Sequence, residues 1–90
     1  MNQQQVDQVI AQLRVQKRRL QQEKIELESA REELDGTSES WRIIGNLMVK
    51  KKPQALIGEL DASLEQVATR LGVLEQQEEQ LRKQLADEQE

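Results

Sequence analysis

Trp41-Arg42-Ile43-Ile44-Gly45-Asn46-Leu47-Met48-Val49-Lys50 is the stretch on which the fold turns. Two runs of β-branched or bulky residues flank Gly45-Asn46, a pair suited to the two-residue turns of a β-hairpin. Upstream, the Asp35-Gly36-Thr37-Ser38 cluster stops the preceding element. Downstream, Pro53 fits the first turn of a helix, where its missing N–H is not needed. The stretch therefore reads as a strand-turn-strand bend between two longer elements.

Both longer elements carry heptads. From Val6 the d positions are Val6, Leu13, Leu20, Leu27 and Leu34, and the a positions are Ile10, Lys17, Lys24 and Arg31. From Ile57 the a positions are Ile57, Leu64, Leu71, Glu78 and Leu85, and the d positions are Leu60, Val67, Leu74 and Leu81. Such repeats are the seams of coiled-coil helices. In an antiparallel pair each layer joins an a of one helix to a d of the other, so partner numbers keep a constant sum. Here the sum is 91: Leu34 meets Ile57, Leu27 meets Leu64, Leu20 meets Leu71, Leu13 meets Glu78 and Val6 meets Leu85. A turn at Gly45-Asn46 pairs Ile44 with Leu47 and Ile43 with Met48 under the same sum, so one fold-back serves helices and strands together.

Every layer has an aliphatic member. Lys17, Lys24 and Arg31 can lay their alkyl stems along the seam while the charged heads reach water, and Glu78 falls in the layer next to Lys17, near enough to pair. Charged layers of this kind loosen a seam and favour one pairing over tighter alternatives. Gly58 and Gly72 each cost the second helix about 1 kcal/mol relative to Ala, a loss that packing must offset. Arms of roughly 30 residues are about 45 Å long at 1.5 Å per residue.

The expected architecture is mostly α: a single domain over 1–90, with helix 3–35, β-hairpin 41–51 and helix 53–88. Composition agrees. Of the 90 residues, 36% are hydrophobic and Trp41 is the one aromatic, too little apolar bulk for a globular interior, while a third are charged, as in long helices. The chain has no Cys, His, Tyr or Phe. It thus lacks disulfide and thiolate chemistry, the commonest general base and the commonest zinc ligand. Glu75, Glu78 and Glu79 read as a helix face more simply than as a metal site. No Gly-rich phosphate loop is present, and we expect no enzymatic activity and no cofactor. The start, Met1-Asn2-Gln3-Gln4-Gln5, has neither the basic nor the apolar part of a secretion signal, and the longest apolar run is Leu47-Met48-Val49, so the expectation is a soluble, cytoplasmic protein with no membrane partner.

The net charge of −4 hides segregation. Arg14, Lys17, Arg18, Arg19 and Lys24 cluster on the first helix and Arg42, Lys50, Lys51 and Lys52 at the bend, while Glu75, Glu78, Glu79, Asp87, Glu88 and Glu90 make the C-terminal part acidic. The basic stretches lack aromatic interleaving in an acidic chain, which argues against a nucleic-acid partner.

A lone two-stranded hairpin is marginal in water and leaves both edges unpaired. Both faces of this one are apolar: Ile44, Leu47 and Val49 on one, Trp41, Ile43 and Met48 on the other. Leu34, Leu56 and Ile57 at the helix starts could cover one face; covering both takes other chains, whose strands would close a sheet and remove the edges.

The bend, with its aromatic, basic and apolar residues, then Gly, then apolar-Val-Lys, resembles that of prefoldin β-type subunits. So does Leu74-Glu75-Gln76-Gln77-Glu78-Glu79-Gln80-Leu81 on the second helix. The likeness extends over nearly the whole chain, and one hairpin marks the β type where the α type carries two. The resemblance implies an ATP-independent chaperone: a hexamer of two α-type and four β-type subunits whose hairpins form an oligomeric β-barrel platform and whose coiled coils hang free, holding unfolded client proteins and passing them to a group II chaperonin. Carried onto this chain, the platform is Trp41, Ile43, Ile44, Leu47, Met48 and Val49, and the client-binding tip is Val6, Val9, Ile10, Leu13, Leu81 and Leu85. Five of these tip residues are also seam positions; Val9 is not, and is the better candidate for exposure. The resemblance puts the chaperonin contact near the coil ends, here the acidic Asp87, Glu88 and Glu90. The alternative reading is a structural coiled-coil adaptor or tether that holds no clients.

Overall fold

The computed structural model describes residues 2–89, with side chains through residue 87. Helix α1 (Gln3–Leu34) leads to strand β1 (Ser40–Ile44), strand β2 (Leu47–Lys51) and helix α2 (Pro53–Gln89). The helices run back along each other, giving a rod of 61 × 25 × 14 Å with the two strands at one end.

Local chemistry sets each boundary. Asn2 caps α1: its side chain accepts from the Gln5 N–H at 2.8 Å, while the Asn2 N–H donates to the Gln5 side chain at 3.1 Å. Two orphan donors are thereby satisfied reciprocally. At the other end the Asp35 N–H donates to the carbonyls of Arg31 and Glu32, and Gly36 takes φ +82°, a left-handed conformation that glycine reaches without steric cost. Helix α2 opens on Pro53, and the N–H groups of Ala55 and Leu56 both reach back to the Lys52 carbonyl.

The strands pair antiparallel as Ser40 with Lys51, Trp41 with Lys50, Arg42 with Val49, Ile43 with Met48 and Ile44 with Leu47. Each pair carries the sum expected from the sequence. Gly45 has φ +59° and Asn46 keeps a negative φ, the pattern of a type II′ turn, whose backbone matches the twist of the strands. The pairing extends one residue further than the sequence suggests. Ser40 is buried because its hydroxyl donates to the Lys51 carbonyl across the hairpin base.

The core is a single seam, and on α1 its buried positions lie in the half away from the bend. Val6, Ile10 and Leu13 of α1 and Val67 and Leu74 of α2 are buried, whereas Leu27, Leu34, Leu60 and Leu64 are only half-buried. Val67 and Leu74 are buried in the very layers that hold Lys24 and Lys17. Among the described residues four ion pairs cross between the helices in keeping with the antiparallel register: Arg14–Glu78 at 3.1 Å, Lys17–Glu75 at 3.9 Å, Lys17–Glu78 at 3.7 Å and Arg31–Asp61 at 2.6 Å.

Candidate functional site

The bend presents the first candidate surface. Ile43 is 71% exposed, Leu47 68% and Met48 66%, and Trp41, Ile44 and Val49 are exposed as well. All six sequence-derived platform residues thus lie on the hairpin surface, and the alternation of the strands divides them between its two faces as their positions require. Leu34, Leu56 and Ile57 are themselves half-buried and leave both faces open. The Lys50 ammonium stands 6.0 Å from the centre of the Trp41 ring, at the outer limit of a cation–π contact.

The hairpin is held to α2 at its base by Glu59. One carboxylate oxygen accepts from the Lys51 ammonium at 2.8 Å and the other from the Arg42 guanidinium at 2.8 Å. The hydrogen bond from Lys51 holds the Glu59 carboxyl below the usual glutamate range; partial desolvation opposes it, and the Arg42 charge assists it. Arg42 and Lys51 lie on the same strand face as Ile44, Leu47 and Val49, so this clamp fixes which face looks toward the helices.

The free end presents the second. Val6, Ile10 and Leu13 turn into the seam and are buried, while Val9, Leu81 and Leu85 are half-buried. Val9, Leu13 and Leu81 line a shallow groove with Gln77, Gln80 and Gln84. The apolar surface available at the end of the coil is therefore supplied by Val9, Leu81 and Leu85, edged by amides. Of the acidic residues considered for a chaperonin contact, Asp87 is exposed; Glu90 and the side chain of Glu88 lie outside the described residues.

Between the two ends sits a charge cluster built around Glu78, a carboxylate at a seam position and only 7% exposed. Its Oε1 accepts from Arg14 Nε at 3.1 Å and from Arg82 Nη2 at 2.8 Å, and its Oε2 lies 3.7 Å from Lys17 Nζ. The pairing with Lys17 follows from the heptads; Arg14 and Arg82 are additional partners supplied by the flanks. The Arg14 hydrogen bond is the main cause holding the Glu78 carboxyl below its ordinary value, with desolvation opposing and the charges of Arg82 and Lys17 reinforcing.

Three exposed apolar side chains escaped the seam-based reading: Val15, Ile25 and Val73. Their signal was present in the heptads, because each is an aliphatic residue at an outer position where a solvated coil carries polar ones. Among the described residues no group of three or more metal-binding side chains comes together, and no helix is long and apolar enough to cross a membrane.

Fold and surfaces define an antiparallel coiled-coil protein with an exposed apolar hairpin at its bend. Over residues 1–90 the chain matches the family described as prefoldin subunit, and it belongs to that family. Its structure is similar to the crystal structure of the prefoldin beta subunit from Thermococcus strain KS-1, with a TM-score of 0.88 and 26% sequence identity over 93% of this chain and 76% of that one. No curated protein sequence gives a significant match. Two long helices joined by a single β-hairpin are the β-type arrangement, and the family is one of non-enzymatic chaperone subunits that assemble into an oligomer.

Proposed function

We propose that this chain is the β-type subunit of an ATP-independent holdase that captures unfolded proteins at its coil tips and delivers them to a group II chaperonin in the cytoplasm. The observation that carries the reading is the exposure of six apolar side chains on both faces of the hairpin, at the opposite end of the rod from the tips. Strands joined from several chains would bury those faces and remove the unpaired edges. With the bend so engaged, the coils are left as separate arms. We assign Trp41, Ile43, Ile44, Leu47, Met48 and Val49 to the platform, shared with an α-type partner and further β-type copies in a hexamer of two α and four β.

At the tips, Val6, Val9, Ile10, Leu13, Leu81 and Leu85 form the client-binding set, with Val9, Leu81 and Leu85 making the first contact and the buried members supporting them from the seam. An unfolded client offers scattered apolar segments, and weak grips on several arms add through effective concentration without any one being tight. Release follows from the weakness of each grip and needs no nucleotide.

The burial of Val6, Ile10 and Leu13 favours one second reading, a tether that assembles but holds no clients. Aggregation of a chemically denatured test protein, followed by light scattering, separates the two. The assembled complex is expected to suppress scattering at near-stoichiometric amounts, and the unassembled chain is not. A full complex that leaves aggregation unchanged decides for the tether.

A further inference from the structure

The two flanks of the coil differ in kind. All the cross-helix ion pairs among the described residues use side chains of one flank or of the seam: Arg14, Lys17 and Arg31 of α1 with Asp61, Glu75 and Glu78 of α2. In the heptads Arg14, Asp61 and Glu75 are e positions. The g positions, Val9, Gln16, Glu23 and Ala30 on α1 and Leu56, Ser63, Arg70, Gln77 and Gln84 on α2, carry no ion pair across the coil among the described residues. The coil is thus zipped by charge along one side and left open along the other.

Midway along the open side lies a groove of about 540 Å³ with Leu20 and Leu74 as its apolar floor and with Val73, Arg19 and Arg70 among its walls. Among the described residues neither arginine has a carboxylate within 4.0 Å; Glu23, the g residue that the register sets beside Arg70, pairs with neither. Val73 is 49% exposed at its edge, and exposed Val15 extends the apolar surface through a smaller groove that shares Gln16 and Arg19. Two free guanidiniums over aliphatic surface, in a chain of net charge −4, form a local inversion of sign.

We propose that this mid-coil groove docks an acidic amphipathic helix of a partner protein, its apolar residues on Leu20, Val73 and Leu74 and its carboxylates on Arg19 and Arg70. Charge complementarity selects the occupant: guanidiniums form forked hydrogen bonds with carboxylates, and the aliphatic floor rewards side chains that a bare polyanion lacks. The groove is separate from the tip residues, so this docking stands or falls independently of client capture.

The probe is a fluorescein-labelled 21-residue helical peptide with leucine at its a and d positions and glutamate beside them, titrated by fluorescence anisotropy into the assembled complex. A twin carries lysine in place of each glutamate. The glutamate peptide is expected to bind and the lysine twin to bind at least tenfold more weakly. The double substitution Arg19→Glu and Arg70→Glu should weaken glutamate-peptide binding by roughly tenfold, as for two partly exposed ion pairs turned to repulsion. Arg19→Gln with Arg70→Gln should weaken it less, and Val73→Gln should weaken it while leaving the salt dependence unchanged. Circular dichroism melting curves like that of the unsubstituted protein confirm that each variant folds. Absence of glutamate-peptide binding, equal binding of the twin, or wild-type affinity in both arginine variants overturns the proposal. So does an oligo-dT that competes for the groove as effectively as the peptide, since charge alone would then be the determinant.

Discussion

Two valines on α2, six residues apart, provide a direct reading of the helix register. Val67 is 3% exposed in the seam, and Val73 is 49% exposed on the outer face. Truncating either to alanine removes two methyl groups, worth about 0.8 kcal/mol each when fully buried. Alanine also improves helix propensity over valine by roughly 0.5 kcal/mol, equally at both sites. Val73→Ala is therefore expected to be near neutral, since half the burial is lost and most of it returned by propensity. Val67→Ala loses nearly the whole transfer energy and adds a cavity where the packed seam cannot fully collapse. The difference between the two variants comes to about 1–1.5 kcal/mol. For a chain of this size that corresponds to roughly 5–10 °C in the melting midpoint, read by circular dichroism at 222 nm on matched samples. Because propensity cancels in the comparison, equal midpoints for Val67→Ala and Val73→Ala would refute the register, and a larger loss at Val73 would place the seam on the wrong face.

The acidic layer makes a pH prediction. The folded carboxyl of Glu78 titrates below its ordinary value of 4.5, so its contribution is fully present above that value and is lost as pH falls through the folded pKa. The melting midpoint should fall on acidification below about pH 4.5, and Glu78→Gln should flatten that dependence; an unchanged slope in the variant removes Glu78 as its cause. The glycines should divide by conformation. Gly45→Ala, at φ +59°, is expected to destabilise the hairpin by about 1 kcal/mol. Gly72→Ala, with nothing within 4 Å of an added Cβ, should stabilise α2 by up to about 1 kcal/mol; a destabilising Gly72→Ala in thermal melts contradicts the open surroundings of that site. Glu59→Ala should release the base of the hairpin from α2, speeding hydrogen exchange of the amides that pair the strands while leaving those of mid-helix unchanged; equal rates in variant and parent show that the Glu59 clamp is dispensable.

The arithmetic of one fold-back was fully legible, because the side-chain periods of strand and helix admit few registers that keep every layer apolar. Ile44 with Leu47 and Ile43 with Met48 pair as the sequence requires. Ser40 was missed as a strand residue because a serine after Asp35-Gly36-Thr37-Ser38 reads as loop; its burial depends on a partner eleven residues away, the Lys51 carbonyl. Of the six residues assigned to the free end, five were legible as seam positions and Val9 as an outer one. Which of them stay in reach of solvent depends on how closely the helices pack at that end, which heptad letters do not give: Val6 is buried, whereas Leu85, its layer partner, is half-buried. Lys17 was visible as a partner for Glu78, whereas Arg14 and Arg82 were not, since a heptad letter fixes a side chain's position but not the direction in which a long rotamer reaches. The one-sided distribution of ion pairs, by contrast, follows from composition, since Glu23 and Arg70 are the charged residues among the g positions.

The account rests on the strand faces at the bend being satisfied by other chains. Native mass spectrometry of the purified chain, alone and mixed with an α-type subunit, tests this most directly, with Ile43→Ser and Met48→Ser together as the control that removes apolar surface from one strand face. The account predicts a closed assembly of defined mass with the partner, lost in the double variant while the helical circular dichroism signal is kept. A chain that stays monomeric with its partner present, or an assembly indifferent to Ile43 and Met48, would contradict it.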